Sequence, residues 1–91
     1  MTADEEAGVK WIKEEFARLA TRVGGMISRE CTSEASPQGG AQRFWYSVGA
    51  ERRFIEYDDV DVTDCGRRDV TAREKVTEGI RAILRRVAGS N

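Results

Sequence analysis

A β-hairpin pattern in the middle of the chain is the feature that most constrains its fold. Two segments rich in aromatic and β-branched residues, 42–48 and 52–59, are separated by a short stretch that contains Gly49. Such runs bounded by turn residues are typical of strands. Glycine also supplies the positive φ that a tight hairpin turn needs. The sequence therefore predicts a central antiparallel strand pair.

The length of the hairpin turn determines which side chains share a face of the sheet. A two-residue turn predicts one face with Phe44, Tyr46, Val48, Arg53, Ile55 and Tyr57, and an opposite face with Trp45, Ser47, Phe54 and Glu56. A three-residue loop would move one strand's set to the other face. We favour the two-residue turn because it gathers more apolar residues on one side. Trp45 and Phe54 then lie together on the side away from the helices.

Amphipathic helix patterns flank the hairpin, over residues 3–23 and 72–88. In each segment apolar residues recur at steps of three and four, as expected of a helix that buries one face. A capping box precedes each segment and glycine follows it, which predicts the helix ends. The residues that carry these signals are Thr2, Glu5, Gly24 and Gly25 for the first helix, and Thr71, Glu74 and Gly89 for the second.

The remaining segments complete the predicted fold. Residues 26–32 alternate weakly and predict a first strand, whereas 33–41 contain the proline and a glycine pair and predict a mobile loop. The order is then helix, three strands, helix. We expect an α+β fold in which both helices pack on one face of a three-stranded antiparallel meander. No repeat or linker divides the chain, so residues 1–91 are expected to form a single small α+β domain.

The composition argues against catalysis and against cofactors. The chain has no histidine, and its two cysteines, Cys31 and Cys65, are isolated. It also lacks the glycine-rich phosphate-binding motifs and the serine nucleophile motif. We therefore expect no enzyme activity and no cofactor. With no signal peptide and no apolar run of membrane-spanning length, we expect a cytoplasmic protein with reduced thiols and no membrane partner.

An acidic run follows the hairpin and contains Asp58, Asp59, Asp61 and Asp64. Its spacing does not match a calcium-binding EF-hand loop, because Asp64 falls where glycine is needed and Val70 where glutamate is needed. If the strand continues through the run, Asp59 and Asp61 share one face and Asp58 has the other, so the carboxylates do not converge. We predict no metal site and interpret the acids as charges that protect a strand edge from aggregation.

The exposed aromatic residues predict a binding function. Aromatic anchors ringed by charge are typical of protein interfaces, so we expect a non-enzymatic module that binds another protein or a second copy of itself. Trp11 lies outside the apolar stripe of the first helix. It either folds over its neighbours at the domain edge or anchors another chain. The predicted contact residues are Trp45, Phe54, Trp11, Glu56, Asp59 and Asp61.

The order of elements also resembles that of the double-stranded-RNA-binding domain. The resemblance covers topology and length, and the loop around Pro37 lies where that family inserts a probing loop. It implies recognition of A-form RNA through basic residues at the start of the second helix, here Arg67, Arg68, Arg73 and Lys75. The chain lacks the family's Gly-Pro-x-His and Lys-Lys-x-x-x-Lys patterns. Its charge is bipolar rather than basic, so RNA binding is the alternative to a protein partner.

Overall fold

The computed structural model describes residues 1–88 as three helices and one sheet. The elements are α1 (Ala3–Val23), β1 (Thr32–Ala35), β2 (Ala41–Val48), β3 (Glu51–Asp58), α2 (Asp59–Gly66) and α3 (Val70–Ala88). The strands are antiparallel and lie in the order β1-β2-β3. The predicted α+β fold is confirmed, with one short helix more than the sequence predicted. Gly89, the predicted end of the last helix, lies outside the described residues.

The hairpin has the predicted two-residue turn. Trp45 lies opposite Phe54, and Phe44 lies opposite Ile55. The two-residue turn begins at Gly49, whose φ is 61°. A positive φ at the first position is what a type II′ turn requires. The predicted division of the hairpin side chains between two faces is therefore confirmed.

The two long helices cover the same face of the sheet. In α1, the ring of Phe16 lies 5.3 Å from that of Tyr46 in β2, measured between centroids. In β3, the Tyr57 hydroxyl donates a hydrogen bond to the Val76 carbonyl of α3, at 3.3 Å. Phe44 lies between these contacts and is 1% exposed. The core therefore occupies one side of the sheet, as predicted.

Helices α1 and α2 cross backbone against backbone. A Cβ atom at Gly8 would overlap the Val62 carbonyl, and one at Gly66 would overlap the Asp4 carbonyl. Val62 and Cys65 are fully buried in α2. Glycine is required at these two positions because no side chain fits between the helices.

The prediction for the first strand is wrong. Of residues 26–32 only Thr32 belongs to it; β1 is Thr32–Ala35, and its other three residues lie in the segment predicted to be a loop. All four β1 side chains remain at least partly exposed, so no alternating burial pattern marks the strand, and its pairing with β2 defines it. Within the predicted segment, Ile27 is buried and forms an isolated bridge to Val48 at the other end of β2.

The interpretation of the acidic run as a continued strand is also wrong. Residues Asp59–Gly66 form helix α2. Asp59 and Asp61 lie in its first turn, where the helix dipole favours negative charge. Val62 and Cys65, three positions apart, form its buried side. The alternation of Asp and Val is typical of a strand, although the buried residues have the spacing of a helix.

Helix α3 begins earlier than predicted. It starts at Val70, and the Asp69 Oδ1 atom accepts a hydrogen bond from the Ala72 backbone N–H at 2.8 Å. Asp69 therefore caps the helix in place of the predicted Thr71. Aspartate is among the favoured N-cap residues, so the start at Val70 agrees with local capping chemistry.

Candidate functional site

The sheet face that the helices leave uncovered is called the outer face below. Because side chains alternate across a strand, the observed register places ten of them there. They are Thr32 and Glu34 from β1, Ala41, Arg43, Trp45 and Ser47 from β2, and Arg52, Phe54, Glu56 and Asp58 from β3.

An aromatic pair lies at the centre of the outer face. The Trp45 and Phe54 rings have centroids 4.8 Å apart and planes inclined at 53°. Phe54 is 42% exposed, and Trp45 is half-buried. Tilted pairs at this distance attract each other beyond their hydrophobic contact. The pair therefore has a fixed arrangement and remains open to solvent.

Two arginines lie over the aromatic pair. The Arg43 guanidinium is 4.5 Å from the centroid of Phe54, and that of Arg52 is 4.9 Å from the centroid of Trp45. Both distances are within the range of cation–π attraction. Each ring thus carries a cation on one side, which restricts the ring and the arginine together.

Two glutamates complete the arrangement. Glu56 Oε2 accepts a hydrogen bond from Arg43 Nε at 2.9 Å, and Glu34 Oε1 accepts one from Trp45 Nε1 at 2.8 Å. The outer face therefore combines aromatic anchors with interleaved positive and negative charges. Tryptophan and arginine are the residue types that most often dominate binding energy at interfaces.

Three of the predicted contact residues meet on this face, and two acids do not. Trp45, Phe54 and Glu56 are on the outer face, but Asp59 and Asp61 belong to α2, which packs against α1 and α3. Asp61 there accepts a hydrogen bond from Lys75 at 2.8 Å. Asp59 Oδ1 is buried and has no hydrogen-bond partner within residues 1–88. Asp59 and Asp61 thus do not flank the aromatic pair.

Trp11, the other predicted anchor, contacts its own chain. The Arg73 guanidinium lies 4.7 Å from the Trp11 ring centroid, and its Nε donates to the Cys65 carbonyl at 2.9 Å. Trp11 is half-buried against the core. These contacts support the interpretation that Trp11 folds over its neighbours at the edge of α1 and α3.

The basic residues of the RNA-binding alternative are largely engaged within the chain. Arg67 pairs with Asp4 at 2.9 Å, and Lys75 pairs with Asp61 at 2.8 Å. The hydrogen bond between Lys75 and Asp61 raises the pKa of Lys75 above the ordinary value for lysine. Arg73 stacks on Trp11, as described above. Arg68 has a φ of 67° and lies in the turn between α2 and α3. These basic residues therefore offer an RNA phosphate little unpaired positive charge.

Arg43, Arg52 and Glu34 were not predicted as members of the site. The hairpin register carries a signal for the two arginines, because each lies diagonally across from one ring of the aromatic pair, within reach of a long side chain. No local signal identifies Glu34, because its position depends on how β1 pairs with β2.

The two cysteines have buried side chains with raised pKa values. Cys31 and Cys65 are free and buried, and burial raises the pKa of each thiol to about 11. Both are therefore protonated at neutral pH and are poor nucleophiles. Across residues 1–88, no three histidine, cysteine or acidic side chains come together as metal ligands.

Comparison of the chain with models of protein families, with curated proteins and with solved structures finds no match. None of the helices in the described part of the chain has the length and apolar character to span a bilayer. Function is therefore inferred from the side chains of the outer face.

Proposed function

We propose that this chain is a non-enzymatic protein-binding module whose contact surface is the outer face. Its partner is another protein or a second copy of the chain. The observation that carries this proposal is the solvent-open pair of Trp45 and Phe54, held between Arg43 and Arg52.

The arrangement of the pair lowers the cost of binding. Ordering flexible side chains at an interface opposes association, and side chains ordered in advance reduce that cost. Trp45 is held by the Phe54 ring and by its hydrogen bond to Glu34. The aromatic surface can therefore be covered by a partner with little further loss of side-chain freedom.

The charges of the outer face favour a protein over a nucleic acid. Glu34 and Glu56 lie among Arg43 and Arg52, so the face carries both signs. Surfaces that bind nucleic acid are usually predominantly positive. Mixed charges around aromatic anchors are instead common at the rims of protein interfaces.

Substitution of Trp45 tests this function. Wild-type protein, Trp45→Ala and Trp11→Ala are immobilised, and the proteins that each retains from an extract of the source cells are compared. Trp45→Ala is expected to lower the affinity at least about tenfold, as loss of an anchor does. Trp11→Ala is the matched control, because its ring contacts its own chain, and it is expected to retain the same proteins.

Circular dichroism checks that both variants remain folded. Equal retention by wild-type protein and Trp45→Ala would contradict the proposal. Tight, salt-sensitive binding of duplex RNA by the wild-type protein would support the RNA-binding alternative instead.

A further inference from the structure

Strand β3 forms an edge of the sheet, and no strand within residues 1–88 pairs with its free side. In a hairpin with a two-residue turn, the residues next to the turn exchange backbone hydrogen bonds, and alternate residues beyond them do the same. The odd-numbered residues of β3 therefore bond to β2. Arg52, Phe54 and Glu56 direct their N–H and C=O groups outward, where they can pair with another strand.

The outward residues of β3 are complementary to themselves. If an antiparallel copy pairs with β3 about Phe54, Phe54 lies opposite the partner's Phe54. Arg52 then lies opposite the partner's Glu56, and Glu56 opposite the partner's Arg52. Opposite charges directly across an antiparallel pair stabilise it. The backbone N–H and C=O groups of these three residues also point away from β2. Side-chain matching and backbone pairing therefore favour the same register.

Other registers lose this match. Centring the pair on Arg52 or on Glu56 sets like charges directly opposite each other, which is destabilising. If the centre of the antiparallel pairing moves by one residue, Phe54 lies opposite the partner's Arg52 or Glu56. The two Phe54 rings are then separated. The register centred on Phe54 alone aligns the rings and both charge pairs.

The helix side of this edge also has room for a partner. An open groove runs between β3 and α3 and is lined on its apolar side by Ile55, Gly79, Ala82 and Ile83. Ile55 and Ile83 are only partly buried. Arg53 and Arg86 also line the groove. A second chain paired to β3 would bring the apolar part of its own groove against that of the first.

We propose that a second copy of this chain pairs with β3 about Phe54, giving a two-fold dimer with one continuous six-stranded sheet. The two outer faces then join, and the aromatic pairs of both copies form one cluster at the dimer axis. The dimer goes beyond the proposed function, because its contacts lie along the β3 edge and leave the joined outer faces open to a further partner. Two-fold symmetry makes both charge pairs form together.

Charge reversal tests the register. Sedimentation equilibrium over a concentration series gives the dissociation constant of wild-type protein, Arg52→Glu, Glu56→Arg and the double variant. Each single reversal sets two like-charge pairs across the axis and is expected to raise the dissociation constant at least about tenfold. The double variant restores opposite charges and is expected to recover most of that loss. Thermal unfolding followed by circular dichroism confirms that each variant is folded.

Amide hydrogen exchange supplies a second measurement that needs no substitution. The Phe54 N–H is expected to exchange more slowly as the protein concentration rises. Ser33, whose N–H lies on the free side of β1, serves as the control and is expected to exchange at a constant rate.

Three results would overturn the dimer: a monomer at all concentrations, single reversals that dimerise like the wild type, or Phe54 exchange independent of concentration. A monomer that still retains another protein through Trp45 would overturn the dimer and leave the proposed function standing. If the protein forms a charge-dependent dimer but Trp45→Ala retains the same proteins as the wild type, the proposed function is overturned and the dimer stands.

Discussion

Arg68 has an unusual backbone conformation for its residue type. It is the non-glycine residue with positive φ in the described part of the chain, at 67°. Its N–H donates to the Cys65 carbonyl at 3.1 Å, and the Asp69 N–H donates to the Asp64 carbonyl at 3.0 Å. These two bonds define the Schellman motif that commonly ends a helix, where glycine usually takes the left-handed position. Arg68 therefore ends α2 through its backbone.

Arg68→Gly is expected to raise the free energy of unfolding by about 0.5–1 kcal/mol. Glycine removes the steric cost of a Cβ atom in the left-handed region, and the greater freedom of the unfolded chain offsets part of the gain. Urea unfolding measures the change. Arg68→Ala is the control, because alanine keeps the Cβ atom and removes the charge; a gain as large in Arg68→Ala would contradict this explanation.

At the scale of elements, α2 depends on its close contact with α1. Gly8 and Gly66 let the two backbones touch, and Val62 is buried where they meet. A short helix with little apolar surface of its own needs such tertiary contact, because helices of this length are marginal in isolation. The crossing therefore holds α2 in place between β3 and α3.

Gly8→Ala is expected to lower the free energy of unfolding by about 1–3 kcal/mol, as overpacking does. In an open helix the same change would stabilise the protein by about 1 kcal/mol, so the sign reports the crossing. Thermal or urea unfolding measures it. Lys10→Ala, at an exposed position of α1, is the control and should change stability by less than about 0.5 kcal/mol. A more stable Gly8→Ala would contradict the close crossing.

The elements differ in how far local sequence could predict them. The hairpin and the two long helices were predicted because turn glycine, residue alternation and helical spacing are visible locally. Helix α2 was missed because its burial arises from contact with Gly8, 54 positions away from Val62. The predicted two-residue turn correctly placed Trp45 and Phe54 together on the outer face. Glu34 could not be predicted, since its place depends on the pairing of β1.

At the scale of the whole molecule, the fold is a two-layer structure with one bare side. Its principal extents are 39 × 28 × 16 Å, and the shortest suits one layer of helices on one sheet. All three helices lie on the covered side of the sheet, so no described element lies over Trp45. Covering that side of the sheet requires a surface from another molecule.

The free energy of unfolding of Trp45→Ala, compared with that of Phe44→Ala, tests this account most directly. The two residues are adjacent in β2 but lie on opposite faces. Phe44→Ala removes a fully buried ring and should cost about 3–5 kcal/mol. Trp45→Ala removes the larger side chain, yet should cost only about 1–2 kcal/mol, because it loses an exposed aromatic contact and one hydrogen bond. A cost for Trp45→Ala equal to that for Phe44→Ala would show that Trp45 belongs to the core and would contradict the assignment of the outer face as a binding surface.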